Sequence, residues 1–294
     1  VDIGEWDCHP TDNPEGPLRL FIGYPLTGRT DVFFVFDIED DGGNPYLGSG
    51  QLDGNGIPPD FFSDVHIRKA FNYCFDWETY IQDALAGEAV QNYGPINIGN
   101  LGYDPDGLHY SYDPAKCEEE LKLAWDGQVW ENGFRFQTVY NTGNVTRQTI
   151  AKIMQQEFSD INPKFQIELV GLPWPSFLNA VIASRVPMFL SGWGEDYHDP
   201  HNWVQPMLVG TNAVNQRLPA EILQEFRELI TAAVTAPTPE ARAEIYYQIN
   251  QLDFEYAPAI RLAVATGRHY QQRWVQDWFR NPIRQWFFDV FTKQ

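Results

Sequence analysis

Residues 186–206, Val-Pro-Met-Phe-Leu-Ser-Gly-Trp-Gly-Glu-Asp-Tyr-His-Asp-Pro-His-Asn-Trp-Val-Gln-Pro, change character partway along. Residues 186–191 are an apolar run of strand length, and the spacing predicts a buried strand that stops on Gly192. Trp193, Glu195, Asp196, Tyr197, His198, Asp199, His201 and Trp203 then follow closely. A strand that ends on glycine and releases aromatics and carboxylates into a loop is suited to form one wall of a ligand pocket.

Upstream of this stretch, strands and helices alternate. Residues 134–140 and 165–170 read as strands. Ile150, Ile153, Met154 and Phe158 mark a helix between them, and 174–182 a short helix after them. That alternation predicts an α/β layered body. Further upstream, Ile67, Ala70, Phe71, Cys74, Trp77, Ile81, Ala84 and Leu85 recur at helical spacing, predicting one helix from Ser63 to a stop at Gly87. Another helix starts near Asp113-Pro114. Downstream, a helix runs from Pro219, and Thr238-Pro239-Glu240 supplies an N-cap with proline in the first turn of the next. Its predicted buried face is Ala241, Ile245, Ile249 and Leu252. Pro258 ends it, and 259–264 read as a returning strand. Residues 1–60 and 259–294 are looser. They hold the β-type run 31–37 and an aromatic tail of Trp274, Trp278, Phe279, Trp286, Phe287, Phe288 and Phe291.

Composition narrows the function. The chain has 294 residues, 43% of them hydrophobic, enough for a packed core. Forty acidic against twenty basic residues give a formal charge of −20. Such a field repels phosphate, which argues against nucleic acid and anionic membrane surfaces as partners. The chain opens on Val1-Asp2-Ile3-Gly4 without a signal peptide and reads as a processed or cut-out form. Cys8, Cys74 and Cys117 are odd in number and lack CxxC spacing, which indicates neither a zinc site nor a full disulfide framework. Cys74, on the apolar helix face, reads as core.

Five motifs in order resemble the extracellular solute-binding proteins of ABC importers, family 5. Asp64-Val-His-Ile-Arg-Lys-Ala-Phe-Asn-Tyr-Cys-Phe-Asp76 is similar to the family's D-x-x-hydrophobic-R-x-A helix, and Tyr112-Asp-Pro-Ala-Lys116 to its Y-D-P-x-K start. Tyr140-Asn-Thr-Gly-Asn144 with Gln155 matches a further element, and Gly192-Trp-Gly-Glu-Asp-Tyr-His-Asp-Pro200 the G-W-x-x-D-Y-x-D-P loop. Ala257-Pro-Ala-Ile-Arg-Leu262 matches the return strand, with Arg261 where the family usually has proline.

The resemblance implies a fold and an organisation. The fold class is α/β, a periplasmic-binding-protein-like type II lobe with partial remnants of a base lobe. Residues 60–257 would be the C-terminal ligand-binding lobe. Residues 1–59 and 258–294 would be the base-lobe remnants, with hinges near Pro58 and Pro258. It further implies capture of a solute, delivery to ABC permease subunits, a monomer, an extracytoplasmic location and no cofactor. A short peptide is the first expectation. An oligosaccharide-binding or metal-chelate-binding member of the same family is the alternative, and ten tryptophans with fourteen tyrosines would suit sugar rings.

In this reading Asp196 holds a ligand ammonium, because a carboxylate in a closed cleft makes a strong charge-assisted bond. Trp193 offers a flat apolar face, and Tyr197 a hydroxyl. Tyr140 and Asn141 end a strand at the cleft edge. Glu195, one residue out of phase with Asp196, is expected to point away, in a solvated or hinge-side role. His198, Asp199 and His201 could form a metal site, but Asp199-Pro200 reads better as a helix start, and no metal is expected. Trp203 reads as core and Arg185 as a surface arginine. Arg68 and Asp76 read as a structural pair. An enzyme is disfavoured: the carboxylates crowd into one loop, whereas glycoside hydrolysis needs two converging across a substrate. No Gly-x-Ser-x-Gly, HExxH or P-loop is present.

Overall fold

The computed structural model describes residues 18–279, 281, 283 and 292–293. Cys8 and the tail aromatics Trp286, Phe287, Phe288 and Phe291 lie outside the described residues, as do residues 1–17. In chain order the elements are β1 (Leu18–Pro25), β2 (Gly28–Phe34), α1 (Val65–Tyr73), α2 (Trp77–Thr79), β3 (Ala89–Gln91), α3 (Pro114–Leu123), α4 (Gln128–Asn132), β4 (Phe134–Asn141), α5 (Val145–Ile161), β5 (Phe165–Leu172), α6 (Trp174–Ile182) and β6 (Met188–Gly194). Then come α7 (His201–Val204), α8 (Thr211–Gln216), α9 (Ala220–Val234), α10 (Pro239–Tyr256), β7 (Ala259–Ile260), β8 (Ala263–Gln272), β9 (Val275–Gln276) and β10 (Thr292–Lys293).

The predicted alternation is present. β4 and β5 pair in parallel from Phe134↔Phe165 to Asn141↔Leu172, with α5 as the crossover. Helix α5 buries Ile150, Ala151, Ile153, Met154 and Phe158. Asn144 caps it by accepting from Arg147 N–H at 3.0 Å. A core of phenylalanines sits beneath: Phe71 lies 4.1 Å from Phe158 between ring centroids, and Phe34 stacks on Phe62 at 4.9 Å. Both α9 and α10 form as expected, and Thr238 Oγ1 accepts from Ala241 N–H at 3.2 Å. The most buried face of α10 is Ala243, Tyr246, Ile249 and Asp253, rotated from the predicted one.

Strand β2 is the centre of one sheet, β6-β2-β7. It pairs antiparallel with β6 along its whole length, from Gly28↔Gly194 to Phe34↔Met188, and with β7 at Val32↔Ile260 and Phe33↔Ala259. Beyond a break at Leu26-Thr27 the chain belongs to a second antiparallel sheet, β1-β8-β3, with Pro25 opposite Thr266. The return strand breaks correspondingly at Arg261-Leu262, between β7 and β8. The chain thus crosses between two sheets twice, side by side. Val32 to Phe36, Ile38, Leu47 and Ile57 share one cluster with Phe61, Phe71 and Phe134.

Four expectations are corrected. The helix predicted from Ser63 to Gly87 is two helices, because Asp76 Oδ1 accepts Thr79 N–H at 3.0 Å and starts α2 afresh. Cys74 is no free core thiol but is bonded to Cys117, tying α1 to α3 with Cα atoms 5.3 Å apart. A sequence separation of 43 leaves no local signal for such a pair. Arg68 does not pair with Asp76. Its guanidinium is buried against the carbonyls of Phe62, Ser63 and Tyr256, and burial lowers its pKa to about 10. Finally, β6 does not stop at Gly192. Pairing with Gly28, Arg29 and Thr30 carries it through Gly194, so Trp193 stands on a strand rather than in a loop.

Candidate ligand-binding site

Between the two crossings lies a buried ionic knot. Asp31, on β2, accepts at Oδ1 from Arg29 Nε (2.9 Å) and from Leu262 N–H (3.0 Å), and at Oδ2 from Arg261 Nη1 (3.2 Å). Arg261 also grips Asp253 of α10 with two bonds, of 3.0 and 2.5 Å. Arg29 Nη2 donates to Pro95 O at 2.8 Å, and its guanidinium lies 4.8 Å from the Trp203 ring centroid. All four charged residues are buried, two of each sign. Burial would raise the pKa of Asp31, but the adjacent Arg29 and Arg261 outweigh it and hold the carboxyl below its ordinary value. Arg261, which departs from the family's usual proline, therefore has partners that use its charge. Trp203 is core, as expected.

Over this knot opens a cleft of about 400 Å³. Its walls are Gly28, Arg29 and Thr30 of β2, Gly192 and Trp193 of β6, Tyr80, Leu85, Thr146 at the start of α5, and Ala263 and Ala265 of β8. The indole of Trp193 is fixed at its edge, Nε1 donating to Asn202 Oδ1 at 3.0 Å. Gly28 lets the two strands approach closely: a Cβ there would sit 3.3 Å from Trp193 O. Apart from Arg29, whose guanidinium is engaged in the knot, the lining is apolar and hydroxylic with a flat aromatic, a common make-up for small-molecule sites. A wider cleft of about 630 Å³ adjoins it at Gly28, between Tyr24, Thr27, Glu195, His269 and Trp278.

None of the other expected site residues, Asp196, Tyr197, Tyr140 and Asn141, lines either cleft. Asp196 is exposed, and among the described residues its carboxylate makes no hydrogen bond or ion pair, while its N–H donates to Asn202 Oδ1 at 3.3 Å. Tyr197 is exposed, with its hydroxyl 2.9 Å from His201 Nδ1. Tyr140 and Asn141 serve the first turn of α5: the Tyr140 hydroxyl accepts from Gln148 Nε2 at 3.0 Å, and Asn141 Oδ1 from Arg147 Nη1 at 2.8 Å. Neither lines the Trp193 cleft. Arg185 is a surface residue, donating to Gly43 O at 2.7 Å. Asp199 does start the next turn, accepting from His201 N–H at 2.9 Å. Its carboxylate also takes two 2.7 Å bonds from Arg242. The side chains of His198, Asp199 and His201 thus go to separate partners.

Of the two roles expected for Glu195, the solvated one is excluded. Glu195 points inward, with a fully buried side chain. Oε1 accepts from Trp203 Nε1 at 2.6 Å and from Asn100 Nδ2 at 2.7 Å, and Oε2 lies 2.7 Å from His198 Nδ1. Burial would raise its pKa, and these bonds more than reverse that. The partner that sequence reasoning missed is the segment 92–103, Asn-Tyr-Gly-Pro-Ile-Asn-Ile-Gly-Asn-Leu-Gly-Tyr. Its asparagines act as staples: Asn92 Nδ2 to Ile96 O (2.8 Å), Asn97 Nδ2 to Leu26 O (3.1 Å), and Asn100 Nδ2 to Asn97 O (3.3 Å). Three spaced asparagines among glycines were the available signal.

With this geometry in view, comparisons bear on the whole. The profile of the bacterial extracellular solute-binding proteins, family 5 Middle, matches residues 34–215. The heme-binding protein A of Haemophilus influenzae is 25% identical over 206 residues, covering 70% of this chain and 37% of that protein. The dipeptide-binding protein of Escherichia coli K12 is 23% identical over 246 residues, 83% of this chain and 45% of that one. The chain therefore spans less than half the length of these curated relatives. In three dimensions it is similar to HbpA2 from Haemophilus parasuis, with TM-score 0.72 at 18% identity, covering 95% of this chain and 50% of that one. It is equally similar to a periplasmic murein tripeptide-binding protein in an unliganded open form, with TM-score 0.72 at 16% identity, covering 96% and 50%. These likenesses establish a type II periplasmic-binding-protein fold.

Proposed function

The chain belongs to the bacterial extracellular solute-binding proteins, family 5, and from that premise we propose that it supplies one face of a clamp for a short peptide, in a protein serving the permease of an ABC importer outside the cytoplasmic membrane. Among the described residues no helix is long and apolar enough to cross a membrane. The observation that carries the reading is the cleft against Trp193 with an unengaged carboxylate, Asp196, just past the end of the same strand. The indole face takes a peptide plane or an apolar side chain. Asp196 is left to meet an ammonium, and its bond strengthens once a second lobe excludes water. The paired breaks at Leu26-Thr27 and Arg261-Leu262, where both crossings leave the β2 sheet together, support setting the lobe boundary there. Relatives named for di- and tripeptides favour the peptide over the sugar.

Calorimetry with tri-alanine, N-acetyl-tri-alanine and maltotriose tests the proposal. Asp196→Asn is expected to weaken tri-alanine binding by at least about tenfold, the scale of one charge-assisted bond, and to leave the acetylated peptide unchanged. Tight binding of maltotriose that is indifferent to Asp196→Asn would sink the peptide reading.

A further inference from the structure

We propose that Glu195 and Asn100 are positioning residues that fasten the ligand wall, residues 195–201, to the first crossing, so that wall and crossing move as one piece. The inference rests on the peptide reading of Asp196 for its functional consequence, but the fastening itself is drawn from geometry. Glu195 is anchored twice. Its N–H donates to Thr27 O at 2.8 Å, at the break between β1 and β2. Its buried carboxylate takes Asn100 Nδ2 at 2.7 Å, and Asn100 in turn donates to Asn97 O at 3.3 Å. Asn97 closes the circuit on the crossing by donating to Leu26 O at 3.1 Å.

A full carboxylate at this depth is costly unless its lone pairs are filled. Trp203 Nε1 at 2.6 Å and His198 Nδ1 at 2.7 Å supply the remaining partners, and His198 Nε2 reaches Gly99 O at 3.3 Å. The next residue, Asp196, is exposed and takes only a 3.3 Å bond at its N–H. Its position is therefore set largely by its neighbour. A residue out of phase with the ligand residue fixes where that carboxylate stands.

The test has two arms, both on the whole protein. In hydrogen exchange without ligand, Glu195→Ala and Asn100→Ala are expected to speed exchange of the 196–201 amides by at least about tenfold while the core strand β2 keeps its protection. Glu195→Gln, which retains the acceptor for Trp203 and Asn100, is expected to change them little. Unaltered protection at 196–201 in Asn100→Ala overturns the fastening, and this variant serves even if Glu195→Ala does not fold. In the binding arm, the alanine variants are expected to weaken tri-alanine by about tenfold and spare N-acetyl-tri-alanine, with recovery in Glu195→Gln. A general loss of stability would weaken both peptides equally, and that outcome removes the positioning role. If wild type binds neither peptide, the peptide reading fails, and the exchange arm still decides on the fastening.

Discussion

At Asp31 a single carboxylate serves two arginines and a backbone N–H. Removing one member of such a buried set leaves the others charged and unpaired, so the cost exceeds that of an ordinary hydrogen bond. Asp31→Ala is expected to lower unfolding stability by about 3–5 kcal/mol in urea denaturation, the scale for breaking a buried pair. A loss below about 1 kcal/mol, the scale of an exposed pair, would mean that water reaches the knot. The same reasoning explains why Arg261 resisted interpretation from sequence. Its partners Asp31 and Asp253 come from positions 230 and 8 residues away, and only the fold brings them together. For Glu195 only the solvated role fails, for a related reason. Alternation along a strand assigns neighbours to opposite faces, but it does not say that the face away from the ligand is itself lined with donors.

Among the elements, helices and strands with strong periodicity were legible. The β4–α5–β5 unit, α6, α9 and α10 follow directly from apolar spacing and caps. What escaped depends on pairing across long separations: the extension of β6 through Gly194, the stapled segment 92–103, and the Cys74–Cys117 bond. That bond makes a prediction of its own. The chain-entropy relation gives roughly 4 kcal/mol for closing a loop of 43 residues, about the separation seen here. Reduction, or Cys74→Ala with Cys117→Ala, is therefore expected to shift the urea midpoint downward by a comparable free energy. The loss should appear as faster exchange in α1 and α3 before β4 and β5. Equal stability of the reduced and oxidised forms would show that the contact between α1 and α3 suffices alone.

For the whole molecule, acid is the informative variable. Asp31, Glu195 and Asp199 all have pKa values lowered from ordinary values of 3.8, 4.5 and 3.8. A group with a depressed folded pKa binds fewer protons folded than unfolded. Its contribution is complete above the ordinary value and drains away as pH falls through the folded one. The melting temperature is thus expected to vary little from about pH 7 to 5 and to drop steeply below about pH 4, read by calorimetry. A steep drop already at pH 6 would point to histidines instead. The two crossings carry a mechanical consequence. A single tether permits bending, twisting and sliding alike. Here β1 with β8, and β2 with β7, form antiparallel pairs on either side of the breaks. Such a ribbon behaves as a leaf spring, compliant across its flat face and stiff in shear and torsion. On the two-lobe reading proposed above, closure toward Trp193 is expected to follow essentially one angular coordinate, a single arc rather than a search through orientations.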